Sequence, residues 1–378
     1  MSGWPGKTVI GLTGNIATGK SVVRKMLEHL GAYGIDGDAL GHRAIAKGAP
    51  AYQPVLNTFG RWILSPDEQI DRAKLARIVF SDPDALARLE IIVHPFVRQA
   101  VDLLIRRSKE QVIVLEAIKL LESPLIRSCD NLWVTYAPPE IQLARLMQKR
   151  GMTEAAARQR ITAQPSQEEK MMRADVVIRN VGSFEDTWRQ VSTGWKSLFP
   201  KDATGIFAPA APAAKGELVV EKARPRHASE IAALINRLSN GARAMSHEDV
   251  MAAFGEKAFL FLKMDNQPVG LVGWQVENLV ARTDDVYIEP TLALPEAMRA
   301  LLTAVETTSR DLQCEVTLLF LPATLARQGE VWKNLGYEPR TLQTLGVRAW
   351  QEAAQETMAA GELMFFKQLR KDRVLRPV

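Results

Sequence analysis

One octet in this chain combines residue types that can bind the phosphates of a nucleotide. Residues 14–21 fit the pattern G-x-x-x-x-G-K-[ST]. The two glycines allow backbone N–H groups to close around a phosphate, while the lysine reaches the β- and γ-phosphates and the serine hydroxyl ligates Mg²⁺. The predicted phosphate-binding loop consists of Gly14, Asn15, Ile16, Ala17, Thr18, Gly19, Lys20 and Ser21.

The residues that flank this octet have the patterns of the strand and the helix that such a loop requires. Thr8–Leu12 is a short apolar run with β-branched residues, typical of a buried parallel strand. Apolar residues then recur at helical spacing from Val22 to Leu30. A helix that begins at the loop adds roughly half a positive charge at its N-terminus. A chance Gly-Lys-Ser in a turn is the alternative, but this context favours a nucleoside triphosphate site.

Carboxylates follow two further strand-like segments. Asp36 and Asp38 come just after a second predicted strand, and Glu116 ends the apolar run 112–115. The carboxyl ends of parallel strands meet at the ligand crevice of such a sheet. An aspartate there can accept a proton from an acceptor hydroxyl, and Glu116 can hold Mg²⁺ directly or through water. An ordinary turn remains the alternative for the Asp-Gly-Asp segment.

Two other segments have patterns that could serve a phosphoryl-transfer site. Seven cations and three glutamates lie between Gln142 and Arg173, which predicts a lid that neutralises phosphate oxygens; a solvated helical face is the alternative. The dipeptide His94-Pro95 interrupts an apolar helical pattern, so we expect the helix to end or kink there. His94 is then either presented to a cleft or part of a structural kink. The cations are Arg145, Lys149, Arg150, Arg158, Arg160, Lys170 and Arg173.

Composition and charge narrow the class of protein. The chain has 378 residues, of which 47% are hydrophobic and 24% charged, and two domains are expected at this length. No membrane span or signal peptide is recognisable, and the two cysteines, Cys129 and Cys314, are far apart, so we expect a cytoplasmic protein. The net charge of +5 is spread without a basic run, which indicates a phosphate site rather than a nucleic-acid partner. Nothing in the sequence indicates the oligomeric state.

The segment Pro200–Gly216 divides the chain. Alanine, proline and glycine dominate it, and its prolines forbid a continuous helix, so we interpret it as a linker between domains at 1–199 and 217–378. Upstream, strand-like runs alternate with helical patterns, which predicts a parallel sheet flanked by helices. Downstream, consecutive strands predict a separate α/β domain. The linker composition further predicts that few contacts join the two domains and that the first folds and works alone.

From about Lys7 to Phe199, the residues resemble the dephospho-coenzyme A kinases. The likeness includes the phosphate loop, Ile35–Asp38, Leu89–Arg98 and the spacing of Gln142, Arg145 and Arg150, together with Gln164, Ala174-Asp175 and Asn180. The resemblance implies a P-loop kinase with a lid that uses ATP and Mg²⁺ to phosphorylate the ribose 3′-hydroxyl of dephospho-CoA, the last step of coenzyme A synthesis.

The same resemblance implies roles for individual residues. Asp38 takes the position of the general base with Asp36 beside it, and Arg145 takes that of the lid arginine at the transferring phosphate. Asn180 belongs to the ATP site, and the acceptor site includes His94, Arg98 and Glu116. One departure concerns residues 116–122: family members commonly have Asp-x-Pro-Leu-Leu-x-Glu, whereas this chain has Glu-Ala-Ile-Lys-Leu-Leu-Glu. This departure leaves the details of acceptor binding open.

From about Glu217 to Leu369, the order of elements and the turn Leu335–Glu338 resemble the GNAT-type N-acetyltransferases. In that family a glycine-containing turn after the fourth strand wraps the pyrophosphate of acetyl-CoA with its backbone amides. The corresponding stretch here places Pro295, Glu296 and Met298 where small residues and free amides are needed. We therefore expect a GNAT-like domain without catalytic activity; an active acyltransferase is the alternative.

Two other functions compete with the dephospho-CoA kinase hypothesis. A nucleoside monophosphate kinase fits the loop and the lid but not the segment around His94. A nucleotide-dependent switch that signals through the second domain belongs to a different class, and the chain lacks the guanine-selecting pattern Asn-Lys-x-Asp.

Overall fold

The computed structural model describes residues 4–199 and 216–370, so the predicted linker lies outside the described residues except for Gly216. The first domain contains a sheet with helices on both faces. Its strands are β1 (Thr8–Gly14), β2 (Tyr33–Asp36), β3 (Val112–Glu116), β4 (Asn131–Tyr136) and β5 (Val176–Arg179). Its helices are α1 (Lys20–His29), α2 (Gly37–Ala44), α3 (Tyr52–Phe59), α4 (Arg72–Ser81), α5 (Pro83–Arg107), α6 (Pro139–Arg150), α7 (Glu154–Thr162), α8 (Gln167–Met172) and α9 (Phe184–Leu198).

The first sheet is parallel throughout, as the alternating pattern predicts. Its strand order is β2-β3-β1-β4-β5. All five residues of β3 are buried, because helices cover both faces of the sheet. Glu116 is opposite Leu12 on one side and Asp36 on the other. The register therefore brings the carboxylates of β2 and β3 to the same edge as the loop after β1.

Helix α5 continues through Pro95 without ending. The sequence predicted that the helix ends or kinks at this proline, and the structure contradicts the first of these two alternatives. Proline lacks one backbone hydrogen bond, but α5 has 25 residues and buries Val97, Ala100, Val101 and Leu104 after the proline. Burial of that apolar face supplies the stability that the missing hydrogen bond does not.

The second domain is built on a mixed sheet. Its strands are β6 (Leu218–Lys222), β7 (Ala258–Met264), β8 (Gln267–Glu277), β9 (Val280–Ile288), β10 (Val316–Pro322), β11 (Glu338–Arg340) and β12 (Glu362–Gln368). Its helices are α10 (Ala228–Leu238), α11 (His247–Ala253), α12 (Leu294–Asp311), α13 (Ala323–Ala326), α14 (Gly329–Asn334) and α15 (Arg348–Thr357). The strand order is β11-β12-β10-β9-β8-β7-β6, so this is a separate α/β domain, as predicted.

Strands β9 and β10 are neighbours only over part of their length. They pair in parallel from Val280 opposite Val316 to Thr283 opposite Leu319. Beyond that point β9 continues to Ile288 and β10 to Pro322 without pairing to each other. All the other strand pairs in this sheet, within the described part of the chain, are antiparallel. The two parallel strands therefore separate at the end where β9 leads towards α12.

Contacts between the two domains are more extensive than the linker composition predicts. The Arg43 guanidinium and the Glu315 carboxylate form a buried ion pair at 2.5 Å. The His29 ring lies 5.3 Å from that of Phe254, and its Nε2 is 2.7 Å from the Phe254 carbonyl oxygen. Burial lowers the pKa of His29 to about 4, which keeps the ring neutral. The expectation that few contacts cross between the domains is therefore wrong.

None of the helices that the structure describes has both the length and the apolar character needed to cross a lipid bilayer.

Candidate active site

The loop between β1 and α1 has the backbone shape that the octet predicts. Gly14, Ala17 and Gly19 all have positive φ angles, and no side chain caps the start of α1. A Cβ atom at position 14 would lie 2.3 Å from Thr135 Oγ1, and one at position 19 would lie 1.9 Å from Asn180 Nδ2. Only glycine fits at these two positions, and successive amides in such a turn form a concavity for an anion.

Lys20 is the first residue of α1 and is 8% exposed. Its Nζ donates a hydrogen bond to the Asn15 carbonyl oxygen at 3.1 Å, which keeps the ammonium over the loop. Burial lowers the pKa of Lys20, and the nearby carboxylates of Glu116 and Asp38 act in the opposite direction. A partly desolvated ammonium at this position can contact a bound phosphate at short range.

Asp36 and Asp38 lie at the start of α2. Asp36 caps the helix by accepting a hydrogen bond from the Ala39 N–H at 2.9 Å. Burial, followed by repulsion from Glu116, raises the pKa of Asp36 to about 6. Asp38 Oδ2 accepts a hydrogen bond from the Ile118 N–H at 3.0 Å, and burial raises the pKa of Asp38. A carboxylate with a raised pKa is a better proton acceptor.

Glu116 is the last residue of β3, and its carboxylate contacts the start of α1, next to the phosphate loop. Its Oε1 accepts a hydrogen bond from Ser21 Oγ at 3.0 Å, and its Oε2 accepts one from Arg24 Nε at 2.7 Å. Within the described ranges, no group of three or more His, Cys, Asp or Glu side chains is suited to a metal ion. Mg²⁺ needs only one or two protein oxygens when phosphates and water complete its shell. The Ser21 hydroxyl and the Glu116 carboxylate fit that requirement.

Two of the predicted lid cations lie at the loop. Arg145 on α6 donates to the Ala17 carbonyl oxygen at 3.1 Å and to the Asn180 carbonyl oxygen at 3.0 Å. Asn180 Nδ2 in turn donates to the Thr18 carbonyl oxygen at 3.0 Å. Lys170 is 3% exposed, and its Nζ donates to the Ile118 carbonyl oxygen at 3.2 Å. Burial lowers the pKa of Lys170, and the charges of Glu122 and Asp38 oppose this shift.

Two other cations between Gln142 and Arg173 form ion pairs away from the phosphate loop. Lys149 Nζ is 3.9 Å from the Glu256 carboxylate of the second domain, and Arg158 pairs with Glu154 of its own helix at 2.7 Å. Both pairs are exposed. Arg145 and Lys170 therefore remain candidates for the predicted lid, whereas these two exposed pairs match the alternative of a solvated helical face.

His94 and Arg98 are on α5, which packs against α2. The two helices are in contact at Gly41, where a Cβ atom would lie 3.9 Å from Val93 and from Val97. This packing places the segment around His94 beside the helix that carries Asp38. Among the described hydrogen bonds and ion pairs, none joins His94 or Arg98 to the carboxylates or to the loop. Their role in acceptor binding remains a prediction.

Sequence reasoning missed Arg24. This residue is 4% exposed and bridges Glu116 to Glu28, whose Oε1 is 2.7 Å from Arg24 Nη1. The first-domain sequence contains many arginines, and no spacing rule links position 24 with position 116. The only available signal was a charged residue on the apolar side of the α1 pattern, next to Val23.

The turn between β9 and α12 in the second domain differs from the phosphate loop. Pro295 and Glu296 lie in the first turn of α12, and the Glu296 amide already donates to the Ala293 carbonyl oxygen at 3.1 Å. Met298 is fully buried inside α12 rather than in the turn, because its side chain packs in the apolar core. The placement of Met298 in the turn was therefore wrong, whereas Pro295 and Glu296 do lie at the helix start.

Comparison with known proteins decides the family. The family model for dephospho-CoA kinase matches residues 8–186. The dephospho-CoA kinase of Geobacter metallireducens is 43% identical over 197 residues, which cover 51% of this chain and 98% of that protein. That of Aquifex aeolicus is 43% identical over 190 residues, which cover 50% of this chain and 96% of that protein. The chain belongs to the dephospho-CoA kinase family.

Solved structures resemble each domain in turn. The structure of TT1252 from Thermus thermophilus is 33% identical to this chain, with a TM-score of 0.46. The match covers 51% of this chain and 98% of the TT1252 chain. A GNAT-family acetyltransferase from Staphylococcus aureus Mu50 is 10% identical, with a TM-score of 0.34, and covers 41% of this chain and 100% of its own. The dephospho-CoA kinase match is confined to the first domain of this family member.

Proposed function

We propose that the first domain transfers the γ-phosphoryl group of ATP to the ribose 3′-hydroxyl of dephospho-CoA. One observation carries this proposal: Ser21 of the phosphate loop donates a hydrogen bond to Glu116 at 3.0 Å, and the N–H two residues after Glu116 donates one to Asp38 at 3.0 Å. A phosphate cradle, a proton acceptor and a metal-binding carboxylate therefore meet at one edge of the sheet. Family membership supports ATP as the phosphoryl donor and dephospho-CoA as the acceptor.

Asp38 acts as the general base in this mechanism. The Ile118 N–H holds Asp38 Oδ2, so Oδ1 can accept the proton of the attacking 3′-hydroxyl. Burial and the raised pKa favour this transfer at neutral pH, because the carboxylate is a stronger base than a solvated aspartate. Asp36 supports the same helix through its hydrogen bond with Ala39 and contributes negative charge beside the acceptor.

The developing charge on the transferring phosphoryl group is balanced by fixed cations. Lys20 contacts the β- and γ-phosphate oxygens, and the loop amides orient the triphosphate. Arg145 approaches from the lid side, where its guanidinium donates hydrogen bonds to the carbonyl oxygens of Ala17 and Asn180 and to Asn180 Oδ1. The Ser21 hydroxyl and, through water, the Glu116 carboxylate would hold Mg²⁺, which would neutralise phosphate charge. Most of the catalytic effect then comes from positioning and electrostatics.

We further propose that the second domain does not catalyse acyl transfer. In the first turn of α12, Pro295 has no N–H and the Glu296 amide already donates to the Ala293 carbonyl oxygen, so neither residue offers a free amide to a pyrophosphate. The Glu296 carboxylate would also repel a pyrophosphate.

Turnover with different acceptors tests the kinase proposal. The full chain would be incubated with ATP, Mg²⁺ and either dephospho-CoA or AMP, and ADP formation would be followed by a coupled assay. We expect acceptor-dependent ADP formation with dephospho-CoA and only the background ATPase rate with AMP. Faster turnover with AMP would favour the nucleoside monophosphate kinase, and ATP hydrolysis that no acceptor stimulates would favour the nucleotide switch.

A further inference from the structure

A hairpin of the second domain reaches into the first domain behind the active site. Strands β8 and β9 are joined by two residues, Asn278 and Leu279. Asn278 is exposed, whereas Leu279 is 8% exposed and joins the hydrophobic cluster of the first domain, together with Tyr33, Leu40 and Ala44. We call residues 276–279 the hairpin tip. Its apolar side chain is thus part of the kinase core rather than of its own domain.

Leu279 has a backbone conformation that leucine rarely adopts. Asn278 and Leu279 have φ angles of 51° and 61°, as a two-residue type I′ hairpin requires. Asn-Gly is the favoured pair in such turns, and a bulky residue at positive φ is an outlier that persists only when its surroundings hold it. Burial of the Leu279 side chain in the first domain supplies that support.

The hairpin tip binds the two helices that begin at the active site. Lys25 on α1 donates from Nζ to the Val276 carbonyl oxygen at 2.8 Å. Arg43, in the last turn of α2, donates to the Asn278 carbonyl oxygen and pairs with the buried Glu315. Helix α1 starts with Lys20 and Ser21, and α2 carries Asp38 in its first turn. The same short segment of the second domain therefore holds the helices of both the phosphate loop and the proposed base.

A continuous set of ion pairs links the hairpin tip to the metal-binding carboxylate. Lys25 pairs with Glu28 at 3.0 Å, Glu28 with Arg24 at 2.7 Å, and Arg24 with Glu116 at 2.7 Å. Ser21 completes the set through its hydrogen bond to Glu116. The members near Glu116 are almost fully buried, where such pairs are weakly screened by solvent. We therefore expect a displacement of Lys25 to alter the ion pairs that orient Glu116.

We propose that the β8–β9 hairpin of the second domain is a positioning element of the kinase. It fixes α1 and α2 relative to each other and thereby the geometry of Ser21, Glu116 and Asp38. This inference rests on the proposed kinase function. The hairpin lies outside residues 8–186, which match the family, so it is a feature that this chain adds to the shared kinase domain. The second domain then contributes to phosphoryl transfer without binding either substrate.

The substitution Leu279→Gly tests this proposal, and the chain offers a matched control. Glycine relieves the positive φ of the turn but removes the side chain from the first domain. Strands β7 and β8 are joined by the equivalent two-residue turn of Asp265 and Asn266, with φ angles of 50° and 65°, and Asn266 is exposed. Asn266→Gly therefore makes the same backbone change without a contact to the kinase. Leu279→Met keeps an apolar side chain at the docking position.

Kinase kinetics of the full-length variants should separate these cases. We expect Leu279→Gly to lower kcat by about ten- to a hundredfold, since misplacement of a catalytic group by about 1 Å has effects of this order. The Mg²⁺ concentration for half-maximal rate should rise, because Glu116 is less well oriented, whereas KM for ATP should change less than kcat. Asn266→Gly and Leu279→Met should stay within about twofold of the wild type.

Hydrogen exchange gives a measurement that does not depend on turnover. In Leu279→Gly, amides of α1 and α2 should exchange faster than in the wild type and in Asn266→Gly, while amides of β10 and β12 should not. If Leu279→Gly does not fold, Glu315→Gln decides, because it weakens the Arg43 contact and should have the same effects to a smaller extent. The positioning role would be overturned if the folded variants had the hydrogen-exchange rates and the kcat of the wild type. An inactive wild type would instead refute the proposed function, and the exchange comparison would still decide the role of the hairpin.

Discussion

Two helices in this molecule, α1 and α12, each follow a strand and a turn where a phosphate group could bind. The two turns differ in backbone conformation and in charge. The loop before α1 has positive φ angles at Gly14, Ala17 and Gly19, and no side chain caps the helix. The turn before α12 has no positive φ angle from residue 289 to residue 297, all of which are described. It has Pro295 and Glu296 in its first helical turn instead.

The difference shows that strand–turn–helix connectivity alone does not create a phosphate site. Every helix N-terminus has unpaired amides and a partial positive charge. A site also requires a turn that curves around the anion, space for its oxygens and a cation nearby. The first region meets these requirements with two glycines at crowded positions and Lys20. In the second region the Glu296 carboxylate introduces a negative charge, which would repel a phosphate group.

Asp38→Asn should cause the largest change and tests the catalytic side of the first region. The amide is nearly isosteric and can keep the hydrogen bond with the Ile118 N–H, but it cannot accept the hydroxyl proton. We expect kcat to fall by about a hundred- to ten-thousandfold, while ATP affinity measured by calorimetry changes little. A mild effect of Asp38→Asn combined with a severe effect of Asp36→Asn would assign the base to the other carboxylate.

Lys20→Ala tests the phosphate side of the same region. Lys20 contributes charge to the phosphates rather than packing, so the variant should fold and lose about a hundred- to a thousandfold in kcat. Lys196→Ala, an exposed position on α9, is the control and should keep wild-type turnover. Turnover by a folded Lys20→Ala protein at a rate close to that of the control would contradict the assignment of the phosphate loop.

Asp36→Asn should have a smaller effect, a gain in stability whose size depends on pH. The pKa of Asp36 is raised from 3.8 to about 6, so the folded state binds the proton more tightly than the unfolded state. Wild-type stability therefore decreases as pH rises from about 4 to about 6. Asparagine still caps α2 without the buried charge. We expect a gain in unfolding free energy on the order of 1 kcal/mol or more above pH 6, because one pKa unit corresponds to about 1.4 kcal/mol.

Urea unfolding of both proteins at pH 4 and pH 7.5 measures this gain. The difference between Asp36→Asn and the wild type should be small at pH 4 and larger at pH 7.5. A difference that is equal at both pH values would show that burial of the ionised carboxylate is not its cause.

The second region should show no acyl transfer at all. The full chain would be incubated with acetyl-CoA and a set of primary amines, with dephospho-CoA present to saturate the acceptor site of the kinase. We expect release of free CoA at the rate of the buffer control, because Pro295 and Glu296 offer no free amide to a pyrophosphate and the Glu296 carboxylate repels it. Amine-dependent release that persists in Lys20→Ala would show that the second domain is an active acyltransferase.

Local patterns predicted much of the first site. The phosphate loop and Glu116 lie on a strand, a turn and a helix whose signals are contiguous in the sequence, so their arrangement follows from the parallel sheet. Asp36 and Asp38 lie at the end of β2 for the same reason. The ion pair between Arg24 and Glu116 joins residues 92 positions apart. Tertiary packing alone creates such a pair, and no spacing rule reveals it.

The errors have a similar cause. Pro95 was expected to end or kink a helix on the basis of its local effect, but the helix does not end there, because the buried apolar face of α5 outweighs one missing hydrogen bond. The composition of the linker said nothing about the surfaces of the two domains that it joins. Leu279 is informative only in the structure, where its positive φ angle and its burial in the other domain occur together.

The most direct test of the central claim is the position of the phosphate in the product. The full chain would be incubated with ATP, Mg²⁺ and dephospho-CoA, and the reaction would be followed by ³¹P NMR. We expect a phosphomonoester signal of coenzyme A, at the ribose 3′-position, that grows in equal amounts with ADP and is absent in the Asp38→Asn variant on the same timescale. Formation of ADP and inorganic phosphate without a new phosphomonoester would contradict it.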